Sequence, residues 1–321
     1  MIINEWPSHF TAKYGHHFPR SMLCFDTEYT GSSERDDLIM EIGHTIVEDG
    51  VAVDSQSIIL NWYGHPGVKD SWLDYKLNNM RHIVGSGWRL LPHVVREEGI
   101  SPIKALRFYD KLFETWKKRG LPFVAQNGET ADARMLRGNF NRYINKTFFL
   151  PVNGYFDTGA IYKATKIWGA TDGDAVNYRL SMMPHRSETL VEHFKRVIYT
   201  RVPGVKWNLA GILADYGLIE KHDVQPEQLH SAGFDATCLH WIMEEFHSKV
   251  HRSNVEENPF ESGETMQRTV DQELAKYKIT KEAQKKKTTK EVQVEAPVPG
   301  QARRTKPGLS QTRRRRRQRS V

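Results

Sequence analysis

Five residues able to do chemistry come from three separate segments: Asp26 and Glu28, then Asp132, then His230 with Asp235. Asp26 and Glu28 close the apolar run Ser21-Met-Leu-Cys-Phe25, which reads as a short buried strand. Residues i and i+2 of a strand share a face, so the two carboxylates point the same way. Burying a carboxylate is costly unless positive charge meets it. A second acid alongside raises that cost, and a hard divalent cation, Mg²⁺ or Mn²⁺, removes it because such ions prefer carboxylate oxygens. Taken alone, the pair reads first as a solvated strand end. Asp132 and Asp235 fall at expected helix starts, where the helix dipole favours any acid. Each acid therefore has an ordinary explanation, but four acids and an imidazole at element ends from three segments form a set.

The elements that must hold this set follow from pattern. After the first strand, Leu38 to Val47 reads as a second, and Glu48-Asp49-Gly50 as a hairpin turn. Val51 to Trp62 reads as a third, so the sheet opens as an antiparallel meander. Residues 63–100 show no clear period, and Trp72, Tyr75, His82, Trp88 and His93 read first as aromatics covering a sheet edge, with base-stacking faces of a nucleic-acid channel as the alternative. Ser101-Pro102 starts a helix with the apolar stripe Ile103, Leu106, Phe113 and Trp116, and Gly120 ends it. Leu121 to Ala125 is a short strand, and Asn127-Gly128 leads into a helix whose first turn puts Asp132 towards the sheet. Phe148 to Asp157 reads as a strand, Thr158 to Trp168 as a helix, and 170–204 as an insertion. His185 and His193 of that insertion have no Cys or closely spaced partner and read as surface histidines rather than zinc ligands. Lys206 to Tyr216 and Phe234 to Val250 complete the helices, with Asp235 on the buried stripe of the last.

Charge divides the chain. The net charge is +7, but residues 302–321 hold nine basic residues and no acid, and residues 271–301 hold seven Lys against five acids, which leaves residues 1–270 at −4. The expected organisation is an arm at 1–20, a catalytic domain at 21–250, and a disordered linker with an Arg-rich tail at 251–321, too polar to bury a core. Arg313 to Arg317 would act as a non-specific nucleic-acid arm. No run matches a membrane span, and Met1 to Trp6 lacks the pattern of a signal peptide. Cys24 and Cys238 sit in apolar runs and read as reduced, buried thiols. The expectation is a cytoplasmic protein, or a nuclear one where the host is nucleated.

Phe25-Asp26-Thr27-Glu28, Ile39-Met-Glu-Ile-Gly43, Val124-Ala-Gln-Asn127 with Asp132, and His230-Ser-Ala-Gly-Phe-Asp235 occur in that order. Together they resemble the DEDDh-type 3′–5′ exonucleases of the DnaQ-like group. Gln126 and Ala131 stand where family members usually carry His and an aromatic residue. The resemblance implies an α/β, RNase H-like fold: a mixed central sheet, its first three strands antiparallel, flanked by helices. It implies two Mg²⁺ ions, or Mn²⁺, held by Asp26, Glu28, Asp132 and Asp235, with His230 as general base. Thr27, Tyr29 and Thr30 would grip the 3′-terminal nucleotide and Asn127 would belong to the same substrate-side set, chiefly by bracing its loop. The implied partner is nucleic acid, DNA ahead of RNA, cut to nucleoside monophosphates. RNA 3′-end trimming and a catalytically silent binding module are the alternatives.

Overall fold

Three strands from the first part of the chain pair antiparallel, and two short later strands add parallel to the first. In the computed structural model, which describes residues 19–85, 87–152, 154–168, 188–202 and 204–256, the sheet order is β3-β2-β1-β4-β5. The strands are β1 (Met22–Tyr29), β2 (Ile39–Glu48), β3 (Val51–Ile59), β4 (Phe123–Ala125) and β5 (Tyr155–Asp157). β1 and β2 pair antiparallel, as do β2 and β3, while β1–β4 and β4–β5 are parallel. This mixed sheet flanked by helices is the RNase H-like arrangement expected from the sequence. The described residues all belong to one compact unit, Met1–Asp271. The proposed arm, residues 169–187 with His185, and the Arg-rich tail lie outside the described residues.

Local chemistry accounts for the strand joints. Asp49 and Gly50 both take positive φ, which gives the two-residue hairpin between β2 and β3 the twist that its strands need. β3 stops at Ile59, short of the expected Trp62, because the Trp62 ring turns inward and its indole N–H donates to Ile39 O at 2.7 Å. The expected strand from Phe148 contracts to β5, with Phe148 itself buried against Phe25 and Phe113.

Nine helices surround the sheet among the described residues: α1 (Asp70–Val84), α2 (Pro92–Glu98), α3 (Pro102–Lys118), α4 (Asp132–Ile144), α5 (Thr158–Trp168), α6 (Leu190–Tyr199), α7 (Leu209–Asp215), α8 (Leu218–Lys221) and α9 (Ala232–Glu256). α1 and α2 occupy the stretch that showed no period. α1 buries only Leu73 and Leu77, and α2 only Val95, too little apolar surface to write a stripe. On α3 the buried stripe is Ala105, Leu106, Tyr109, Phe113 and Trp116, with Ile103 half-buried, and Ser101 makes no side-chain cap. The last helix starts earlier and runs further than expected. No helix among the described residues is long and apolar enough to cross a membrane.

The described part of the expected insertion is built into the core. α6 opens with a capping box of Thr189 and Glu192 and buries Leu190, Phe194 and Val197. His193, expected at the surface, is fully buried and its Nδ1 faces Glu188 Oε2 at 3.2 Å. Its place on the inner face of an amphipathic helix overrides the usual exposure of histidine. Cys24 and Cys238 are buried free thiols, as read from the sequence.

Successive residues of a strand face opposite sides of a sheet, and β1 uses both. Phe25 meets Phe113 of α3, ring centroids 5.5 Å apart. Asp26 and Glu28 are presented on the other face, where α9 packs across β1 and β2.

Candidate active site

All the acids gather at the carboxyl ends of the parallel strands β1, β4 and β5, where open α/β sheets commonly bind ligands. Asp26 and Glu28 lie in the second half of β1. β4 stops at Ala125, so the Thr27 N–H has no ladder partner there, and an unpaired buried N–H is costly. Asp132 supplies the acceptor. Its Oδ1 takes the Thr27 N–H at 2.9 Å and the Thr27 hydroxyl at 2.6 Å, fixing the start of α4 to the end of β1.

The loop between β4 and α4 is braced from β5. Asn127 adopts positive φ, its N–H donates to Asp157 Oδ1 at 3.2 Å, and its side-chain oxygen accepts from the Thr130 hydroxyl. Tyr155 donates to Asp157 Oδ2 at 2.5 Å and accepts from the Gly128 N–H at 2.9 Å. Gln126 bonds Trp207 O and the Thr158 hydroxyl, so it is spent on the loop and α5.

Asp235 enters from the first turn of α9. The turn before it places His230 at φ +64 and donates the His230 N–H to Asp235 Oδ2 at 3.2 Å. His230 Nδ1 stands 3.9 Å from Glu28 Oε1, with the ring 48% exposed. Glu28, His230 and Asp235 can bring one donor atom each within 4.8 Å of one another. Gly43 makes the approach of α9 possible: a Cβ there would stand 2.1 Å from the Ala232 carbonyl carbon and 2.2 Å from Gly233 N.

Electrostatics show how crowded the acids are. Burial first, then the charges of Asp132, Asp235, Glu28 and Glu41, push Asp26 well above the usual carboxylate range. Burial, Asp235, Glu41 and Asp132 do the same to Glu28, with Arg89 acting in the opposite direction. Burial pushes Asp132 up to about 7 against the opposing bonds from Thr27, and pushes Asp235 up to about 7 with help from Glu41 and Asp132. Burial lowers His230, which favours its neutral form. Asp235 Oδ1 is buried with no hydrogen-bond partner. An orphaned carboxylate oxygen among mutually repelling acids is the environment that a hard cation relieves, so these donors fit Mg²⁺ or Mn²⁺.

The expected substrate-side residues divide. Thr27 and Thr30 have spent their hydroxyls inward, Thr30 on Asp37 Oδ1 at 3.0 Å and on the Leu38 N–H, while Tyr29 is half-buried beside a register shift in β1. Glu41 was given no role from the sequence. It is 0% exposed, stands opposite Glu28 in the β1–β2 ladder, and is ion-paired with Arg89. A single acid inside the apolar run from Leu38 to Val47 was the available signal, since acids are rarely fully buried without a partner. Arg89 had none, because its segment has no period.

No protein-family model matches the chain, and no curated protein sequence does. The solved structures it is similar to include E. coli exonuclease I in complex with a dT13 oligonucleotide, at 13% identity and TM-score 0.45, covering 73% of this chain and 42% of that chain. Another is a product-bound structure of exonuclease I, at 11% identity and TM-score 0.41, covering 74% and 46%. The chain spans less than half the length of these solved chains.

Proposed function

We propose that the chain is a metal-dependent 3′–5′ exonuclease that shortens DNA to nucleoside monophosphates. One observation carries the reading: Asp132, Asp235 and Glu28 raise the proton affinity of Asp26, and Asp235 and Asp132 that of Glu28, in a shared site where Asp235 Oδ1 has no partner, with His230 at its rim. A module with no catalytic task gains nothing from holding repelling acids together. These four carboxylates would hold two divalent cations. When bound, such ions supply charge neutralisation at the phosphoryl oxygens and at the leaving oxygen.

The remaining steps belong to the chain. Thr27 orients Asp132 through two bonds to one oxygen, and Asp235 is oriented by the His230 N–H. His230 is neutral at physiological pH because burial lowers its pKa, so it can accept the proton of the attacking water. Nδ1 is the nitrogen facing the acids, and Glu28 stabilises the imidazolium once the proton arrives. Backbone groups between Thr27 and Gly31, other than the Thr27 and Thr30 N–H that already bond Asp132 Oδ1 and Leu38 O, would hold the terminal nucleotide. The Arg-rich tail, nine basic residues without an acid, would add affinity independent of sequence.

The test is incubation with 5′-labelled single-stranded DNA or RNA in Mg²⁺ or EDTA. A ladder receding from the 3′ end of DNA, abolished by EDTA, is the expected result. A ladder on RNA alone would reassign the substrate, and inert DNA and RNA in both Mg²⁺ and Mn²⁺ would overturn the reading.

A further inference from the structure

We propose that Glu41 and Arg89 form a positioning pair that holds the turn carrying His230 in register with Glu28; this rests on the nuclease reading above. Glu41 uses both carboxylate oxygens for that purpose. Oε1 takes the Arg89 guanidinium, and Oε2 takes the Ala232 N–H at 3.3 Å. The same segment supports the other side of the turn. A Cβ on Gly87 would stand 3.0 Å from Leu229 O and 3.2 Å from His230 Cδ2. The Gly87 backbone therefore lies close against the turn at Leu229–His230, and Glu41 bonds it at Ala232, with Arg89, two residues from Gly87, joining the two.

The pair fits this task better than it fits metal or substrate binding. Glu41 is 0% exposed, and both of its oxygens are already bonded. Arg89 is 38% exposed, but its Nε is buried without an acceptor, so Glu41 is its one described bonding partner. Breaking a buried ion pair from one side leaves an uncompensated charge. Here that charge would sit opposite Glu28 in the ladder. The Glu28–His230 geometry would then loosen while the four acids stay in place.

The full chain and its Arg89→Ala, Arg89→Lys, Glu41→Gln and Glu41→Gln/Arg89→Ala variants test this. Arg89→Ala should lower kcat by about 10–100-fold with KM nearly unchanged, as loss of an outer support does. Arg89→Lys should recover most of kcat, and the double variant should be no worse than the weaker single variant. Calorimetric titration with Mn²⁺ should give the wild-type stoichiometry throughout. A raised KM with intact kcat would make Arg89 a substrate contact, and a lost Mn²⁺ equivalent in Glu41→Gln would make Glu41 a ligand; either overturns the pair. A readout independent of turnover is Mn²⁺ broadening of the His230 ring signals, identified with His230→Ala. Broadening should weaken in Arg89→Ala and Glu41→Gln, and unchanged broadening in both overturns the proposal. Wild-type protein that binds Mn²⁺ but cuts nothing would instead defeat the nuclease reading.

Discussion

Thr27 gives both its backbone N–H and its hydroxyl to one oxygen of Asp132, at 2.9 and 2.6 Å. A strand end and a helix start from distant parts of the chain are locked through a single atom. The lock also holds down the proton affinity of Asp132, which burial pushes up to about 7 despite it.

Thr27→Val keeps the N–H bond and the shape but removes the hydroxyl. The expected outcome is a loss of about 10–100-fold in kcat/KM or Mg²⁺ affinity, with the fold intact. Thr27→Ser should restore both. Steady-state kinetics across a Mg²⁺ series check this, and wild-type values for Thr27→Val would count against the lock.

The crowded acids make a pH prediction. Asp132 and Asp235 sit at about 7 in the folded chain, against about 3.9 when unfolded. The folded state therefore holds more protons between those values. Stability from these groups is full below about pH 4 and is lost as pH rises through about 7. His44, His222 and His230 are lowered by burial and act in the opposite direction near their unfolded value. Comparing melting in Mg²⁺ and in EDTA separates the two, because the proposed metal would act on the carboxylates. The Mg²⁺–EDTA difference in Tm should open as pH climbs, and Asp235→Asn should melt above wild type in EDTA at about pH 8.

His230→Ala should retain Mn²⁺ binding while losing about 10²–10⁴-fold in turnover near neutral pH, the usual worth of a positioned base. Asp26→Ala should abolish cleavage at every Mg²⁺ concentration. Calorimetry beside the end-label assay distinguishes the two variants. Full activity in His230→Ala would remove the base assignment, and rescue of Asp26→Ala by excess metal would make Asp26 peripheral.

Gly43→Ala puts a methyl group where the backbone of α9 already lies, 2.1 Å from Ala232 C. Main-chain atoms cannot step aside as a flexible side chain does. The helix start should shift, with a lower Tm and lost cleavage together. Thermal melting and the end-label assay should show both.

Deleting residues 302–321 removes nine positive charges. Binding to single-stranded DNA should weaken and its salt dependence flatten, with the cleavage chemistry kept. Fluorescence anisotropy across a salt series measures this, and an unchanged slope would exclude the tail as a binding arm.

The sheet was legible because its central strands are long apolar runs closed by a two-residue turn, and Thr158–Trp168 was read to its ends. α1 and α2 were not, since few of their residues are buried and no period marks them. At the site, Asp26, Glu28, Asp132, His230 and Asp235 stood out as candidates because each lies in or beside an element with a recognisable pattern. Asp157 and Tyr155 were invisible because their work is to bond a loop that precedes them by many residues. Glu41 was overlooked for the opposite reason: a motif contained it, but only three-dimensional pairing with Arg89 gives it a task.

Under the proposed function, the dependence of the site on α9 also sets a time of activation. Asp26 and Glu28 leave the ribosome early, whereas His230, Asp235 and the helix that lies across β1 and β2 are translated after every strand. On the proposed reading, a nascent polypeptide lacking α9 would have neither the proton acceptor His230 nor the last carboxylate Asp235, and synthesis would have to pass these residues before any cleavage.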